Sequence, residues 1–162
     1  LGDGAAIVRS MPNTPAAVGR GITVAFGNAT VSGAQKSVAT KLLEAVGEVG
    51  WVDGEGLIDA VTAVSGSGPA YVFLMIECLA KAGVEVGLDP DLAERLARAT
   101  VAGSGDLARQ WSESAATLRE NVTSPGGTTA AALEVLMAED GLQKLMSRAV
   151  AAAEERSREL AS

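Results

Sequence analysis

The rhythm of hydrophobic and polar positions changes once along the chain. The early part follows a strand rhythm. Ala5 to Met11 is a short apolar run that stops at Pro12, and Asn13, Thr14 and Pro15 then read as a loop. Ile22-Thr23-Val24-Ala25-Phe26 alternates between Gly21 and Gly27, the period of a half-buried strand. Ser32 stands where a helix cap belongs, ahead of Ala34, Val38, Leu42, Leu43 and Val46, with Gly47 as the stop. Glu48 to Val52 predicts a third strand, closing at Asp53-Gly54. One helix covers too little of such strands for the unit to stand alone. It reads as the end of a larger α/β sheet, and a domain boundary is expected between residues 1–54 and 55–162.

From Gly56 onward the rhythm is helical. Leu57, Ile58, Val61 and Val64 mark a short helix that should break at Ser65-Gly66-Ser67-Gly68. Pro69 suits the first turn of the next helix, which is apolar on nearly every side through Ala82 and expected to end at Gly83. Only Glu77 and Lys81 interrupt it, spaced as an i,i+4 pair. A helix of that kind belongs in the centre of a bundle or under a second chain. Asp89-Pro90 predicts a capped start for a helix with Leu92, Leu96 and Ala99 on one face. Gly103-Ser104-Gly105 within it points to a kink or to a closely packed backbone. Ser114 caps a short helix through Arg119 and Glu120. Gly141 separates two further helices, the last carrying Leu142, Leu145, Met146, Ala149, Val150 and Ala153. Its tail, Glu154 to Glu159, reads as a solvated helix end.

Between Asn121-Val122-Thr123 and the apolar positions Ala130, Leu133, Leu136 and Met137 lies Ser124-Pro125-Gly126-Gly127-Thr128-Thr129. Proline forces a turn there, and the two glycines permit positive φ and a close backbone approach. A Gly-Gly turn feeding a helix N-terminus leaves N–H groups that can cradle an anion. Two readings stand at this point: a plain turn with a threonine near the cap, and a cradle for a small carboxylate or phosphate.

Composition narrows the chemistry. The chain has 162 residues, 48% of them apolar but only 3% aromatic, so Ala, Val and Leu must fill any core. A net charge of −7 argues against a nucleic-acid partner. No run of about 18 apolar residues is free of charge, so neither a membrane span nor a membrane partner is expected. A single cysteine, Cys78, suits a reducing compartment, and a cytoplasmic location is expected. There is no histidine. Histidine-based hydrolases are excluded and no metal site is expected, which leaves orientation and cofactor-borne hydride chemistry open.

Three segments together resemble one family. Met11-Pro12-Asn13-Thr14-Pro15, Ala63-Val64-Ser65-Gly66-Ser67-Gly68-Pro69-Ala70-Tyr71 and Val122 to Thr129 are similar, in order and spacing, to pyrroline-5-carboxylate reductases. The resemblance implies a mainly α fold: a helical dimerisation bundle of the 6-phosphogluconate dehydrogenase C-terminal-domain kind. It would be preceded by the last strands and helix of a Rossmann-type α/β domain. No strand followed by G-x-G-x-x-G occurs, so the chain resembles the family's C-terminal portion with most of the cofactor domain absent.

By the same resemblance the activity is reduction of 1-pyrroline-5-carboxylate to L-proline with NADP or NAD as cofactor, in a homodimer or higher oligomer. Ser124, Gly126, Gly127 and Thr128 would take the substrate carboxylate, Thr129 would hydrogen-bond the ring nitrogen, and Asn121 and Asn13 would lie on the cofactor side. The Ser65–Pro69 segment resembles one beside the active site, and Glu55 and Glu113 are minor candidates. Two other readings are a reductase of the hydroxyacid dehydrogenase kind, for which neither Lys81 nor Lys144 has a supporting motif, and a helical dimerisation module without activity.

Overall fold

The fold was obtained as a computed structural model, which describes residues 4–161; residues 1–3 and 162, the outer ends of the two predicted domains, lie outside it. Three strands form one sheet in the order β1 (Val8–Met11), β2 (Gly21–Gly27), β3 (Gly47–Val52). β1 runs antiparallel to β2, with Val8 opposite Gly27 and Met11 opposite Val24. β2 and β3 are parallel, from Gly21–Gly47 to Phe26–Val52, joined through helix α1 (Gly33–Leu43) and a 3₁₀ turn at Glu44–Val46. The predicted strands are therefore present, though the first begins at Val8 rather than Ala5 and the third begins one residue early.

That early start has a cause. Gly47 enters β3 at φ +146°, and a Cβ there would collide with the Gly21 carbonyl oxygen. The parallel pair begins on a glycine–glycine contact that no other residue type permits. Ser32 caps α1 in a full capping box, its hydroxyl accepting from the Gln35 N–H while Gln35 reaches back. Trp51 of β3 donates its indole N–H to Thr40 of α1 at 3.0 Å, and the Lys36 ammonium lies 5.3 Å from the Trp51 ring centre.

The chain divides into two compact units, cut between Ala70 and Tyr71 and between Ser147 and Arg148. The first unit holds the sheet, α1, and α2 (Leu57–Val61), which lies against β1 and β2. Thr23, Ala25, Ile58 and Ala63 are fully or almost fully buried here. Compactness thus carries this unit past the 54/55 boundary read from the sequence. The C-terminal part of α7 (Leu142–Ala161) also belongs to it, and Ser157 donates to the carboxylate of Asp59 on α2, a residue 9% exposed, at 2.7 Å. The charged tail is solvated on its other sides, where Arg156 pairs with Glu159 and Arg158 with Glu154.

The expected break at Ser65–Gly68 is not a break. After α2 the backbone widens into a π-turn, Thr62–Gly66, closed by Ser67 N–H donating to the Thr62 carbonyl at 2.8 Å, and α3 (Gly68–Glu85) follows. One inserted residue is absorbed in the wider turn, so the helix continues where glycines alone suggested an end. Leu57–Glu85 is long and apolar enough to cross a membrane by length and composition.

The second unit, Tyr71–Ser147, is helical. Gly83 does not end α3. It sits inside the helix, where a Cβ would stand 3.2 Å from both the Ala93 Cβ and the Leu88 side chain, so its role is close packing onto α4 (Pro90–Gln110). The turn comes at Gly87, at φ +99°. Asp89 caps α4 as expected, accepting from the Asp91 and Leu92 N–H groups. The helix runs through Gly103 and Gly105, where an added Cβ would meet nothing within 4 Å, so among the described residues no backbone packs there. Glu77 and Lys81 form no ion pair. They share a groove of about 480 Å³ between α3 and α4 with Phe73, Glu94 and Arg98.

Candidate functional site

The Ser124–Thr129 segment links α5 (Ala115–Asn121) to α6 (Thr128–Leu136). Its approach is held firmly. Thr123 donates its N–H to the Glu120 carbonyl at 2.9 Å and its hydroxyl to the Arg119 carbonyl at 2.6 Å, closing α5. The chain then makes a tight turn in which the Gly127 N–H donates to the Ser124 carbonyl at 3.0 Å. Proline in second place and Gly126 at φ +68° in third is the pattern of a type II turn. A Cβ on Gly127 would stand 3.1 Å from the Ser124 carbonyl and 3.2 Å from its hydroxyl, so any larger residue there would push Ser124 back from the mouth of α6.

This mouth, like that of α2, lacks a side-chain cap. The N-termini of α1, α4 and α5 are closed by the side chains of Ser32, Asp89 and Ser114. α6 starts on Gly127 and has no side-chain cap. Its first intrahelical bond is Ala131 N–H to the Gly127 carbonyl. Among the described residues, the N–H groups of Thr128, Thr129 and Ala130 find no partner. Three convergent donors at the positive end of a helix suit a carboxylate or a phosphate. The Gly127 N–H, named from the sequence as one such donor, is taken by the turn, while Ala130, which sequence reasoning missed, offers one. The signal for Ala130 was its place three residues after the capping glycine. Thr129 is half-buried at this mouth, Ser124 and Thr128 are exposed, and Asn121 is the exposed last residue of α5.

The other candidates lie elsewhere in the chain. Asn13 belongs to the first unit, where its Oδ1 accepts from the Ile22 N–H at 2.9 Å and its Nδ2 donates to the Ser65 hydroxyl at 3.2 Å. Glu55 pairs with Arg9 at 3.2 Å, and Lys144 lies 3.9 Å from Glu139. Glu113 is exposed.

The chain thus combines a three-stranded sheet, a helical unit with exposed apolar side chains and a helix mouth without a side-chain cap. Residues 55–160 match the family model for pyrroline-5-carboxylate reductase dimerisation. The chain is 47% identical over 161 residues to the pyrroline-5-carboxylate reductase of Pseudomonas aeruginosa, covering 99% of this chain and 59% of that one. It is 49% identical over 155 residues to the Synechocystis enzyme, covering 96% and 57%. Among solved structures, the Coxiella burnetii pyrroline-5-carboxylate reductase superposes with a TM-score of 0.93 at 45% identity, covering 99% of this chain and 59% of that one. The Plasmodium falciparum enzyme, solved with NADP bound, gives 0.84 at 35% identity, covering 99% and 64%. The chain belongs to the pyrroline-5-carboxylate reductase family. It spans about three fifths of the length of the curated relatives it matches.

Proposed function

We propose that the protein reduces 1-pyrroline-5-carboxylate to L-proline with NAD(P)H, and that residues 55–162 supply the substrate cradle and the dimerisation helices. The observation that carries this reading is the uncapped mouth of α6, set behind the Ser124–Gly127 turn inside the stretch that matches the family. Three free N–H groups and the Ser124 and Thr128 hydroxyls bind the substrate carboxylate and fix the ring beside them. The Thr129 hydroxyl faces the ring nitrogen. With the carboxylate held, the C=N carbon has one orientation, and most of the barrier falls through positioning rather than through a strong base.

NAD(P)H, when bound, supplies the hydride. As carbon accepts it, the C=N π pair moves to nitrogen and a protonated imine becomes a neutral secondary amine. Thr129 holds a hydrogen bond to that nitrogen throughout. The residues here fit the substrate and offer no pyrophosphate cradle: of the α-helices that follow strands among the described residues, α1 is closed by Ser32, and α2, after Gly54-Glu55-Gly56, spends its Leu57 and Ile58 N–H groups on the Gly54 and Glu55 carbonyls. Asn121 faces the nicotinamide end in this reading, and Asn13 is a cofactor-side residue by resemblance alone. By themselves these residues are expected to bind ligand without catalysing.

The exposed apolar side chains of α3, among them Phe73, Leu74, Met75 and Leu79, are covered in this reading by a second copy of the chain. A bilayer is the rival cover, favoured only by the length and apolar character of Leu57–Glu85. Sedimentation and vesicle flotation separate the two: a dimer that stays with the aqueous phase is expected, and a monomer that floats with lipid would contradict it. For the activity, NAD(P)H oxidation by the full-length natural protein with pyrroline-5-carboxylate is the test. Absence of turnover would sink the proposal.

A further inference from the structure

Two segments far apart in sequence, Met11–Pro15 and the π-turn Thr62–Gly66, meet inside the first unit, where the Asn13 side chain ties one to the other. The Ile22 N–H can only donate, so it fixes the Asn13 Oδ1 toward itself at 2.9 Å and turns Nδ2 toward Ser65. The Asn13 carbonyl also accepts from the Ala16 N–H at 3.1 Å, which holds the loop in its 3₁₀ turn, Thr14–Val18. Both ends of the amide are thus engaged within the chain. What it grips is unusual backbone: Ser65 lies within the π-turn Thr62–Gly66, closed by the Ser67-to-Thr62 bond. The Met11 sulfur lies against the same turn, 3.6 Å from where a Gly66 Cβ would be.

A π-turn competes with the α-helical register of the same residues, and such turns recur at functional sites. Reversion to α-helix would ask Ser67, Gly68 and Pro69 to move about 100° around the helix axis. The tie from Asn13, made across 52 residues, opposes that change.

We propose that Asn13 is a positioning residue that acts through Ser65, holding the π-turn in register against the sheet, and that it does not itself contact the cofactor. The proposal rests on the reductase reading above. It deepens that reading by moving Asn13 from the cofactor's surroundings to the frame behind them.

The test is a double-mutant cycle in the full-length natural protein. Ser65→Ala is expected to lower kcat about tenfold with the cofactor KM within about twofold of wild type, because slack near the reacting groups costs orientation. Asn13→Ala should do the same or more, and the double variant should be no slower than Asn13→Ala, as for two members of one device. Asn13→Asp keeps an acceptor for Ile22 and gives the Ser65 hydroxyl an acceptor, so it should retain kcat within about threefold. This variant and Ser65→Ala decide the matter if Asn13→Ala does not fold. Multiplicative effects, a wild-type kcat in Ser65→Ala, a kcat in Asn13→Asp as low as in Asn13→Ala, or a rise confined to the cofactor KM in Asn13→Ala would each overturn the positioning role. No turnover by the wild type would remove the reductase reading itself, and this role with it.

Discussion

The two units meet their polar obligations in opposite ways. In the first, groups distant in sequence find each other within the chain: Asn13 with Ser65, Asp59 with Ser157, Arg9 with Glu55, Trp51 with Thr40. Thr23, Ala25, Ile58 and Ala63 are sealed among them. In the second, the side-chain hydrogen bonds and ion pairs are mostly local, such as Arg98–Glu94 and Arg109–Asp106, and Ala93 and Ala97 are its buried residues. Phe73, Leu74, Met75, Leu79, Leu92 and Leu96 remain exposed. Apolar area of that size left open marks a surface meant to be covered. The first unit finishes its polar ties within its own chain, although Val38 and Leu42 of α1 stay exposed there, and the second does not.

The largest expected effect attacks the finished unit. Gly47→Ala drives a Cβ into the Gly21 carbonyl at a φ of +146°, and neither partner is a side chain that can swing away. A loss of more than about 4 kcal/mol is expected, read from the urea midpoint. A variant that unfolds at the wild-type midpoint would mean that the start of β3 is looser than its geometry implies. Next in size is the unfinished unit. Phe73→Glu combined with Leu74→Glu puts two carboxylates on the exposed face of α3 and should weaken self-association about 100-fold or more, while far-UV circular dichroism stays unchanged. If sedimentation still shows dimers at low protein concentration, α3 is not the face that a second copy covers.

How much of this contrast could be read in advance follows from the distance over which each signal acts. Ser32, Asp89 and Ser114 announced their helices because a cap acts over three residues, and β2 was legible in its alternation. The cradle was visible as Pro125-Gly126-Gly127, although the turn's consumption of the Gly127 N–H, and so the place of Ala130, required coordinates. The errors lie where a long-range partner decides. Ser65–Gly68 looked like a helix break because glycines are counted locally, whereas the π-turn is held by Asn13. Gly83 looked like a stop because nothing nearby in sequence shows the Ala93 methyl packed against it. The charged tail of α7 looked wholly solvated because Asp59, which Ser157 meets, is 98 residues away.

A change at the cradle probes function rather than either fold. Thr129→Ala in the full-length protein removes one hydroxyl at the mouth of α6 and should lower kcat/KM about 10- to 100-fold with dimerisation intact. An unchanged rate would remove Thr129 from the ring nitrogen and leave the cradle's N–H groups as the whole of its contribution.

The smallest effect tests whether the first unit is truly closed by its distant ties. Ser157→Ala deletes the donor to Asp59, a residue 9% exposed. A buried acceptor deprived of its donor should cost about 1–2 kcal/mol. Arg158→Ala, one residue along the same helix, deletes an ion pair with Glu154 whose arginine side chain is 63% exposed, and should cost no more than about 0.5 kcal/mol. The two substitutions remove polar contacts of equal length, 2.7 Å, from one helical turn. They differ in burial and in whether the partner is four residues away or 98. If urea midpoints place Ser157→Ala beside Arg158→Ala, water reaches Asp59 as readily as it reaches Glu154. The end of α7 would then be a solvated tail resting on α2, and the first unit would be as open there as the second is along α3.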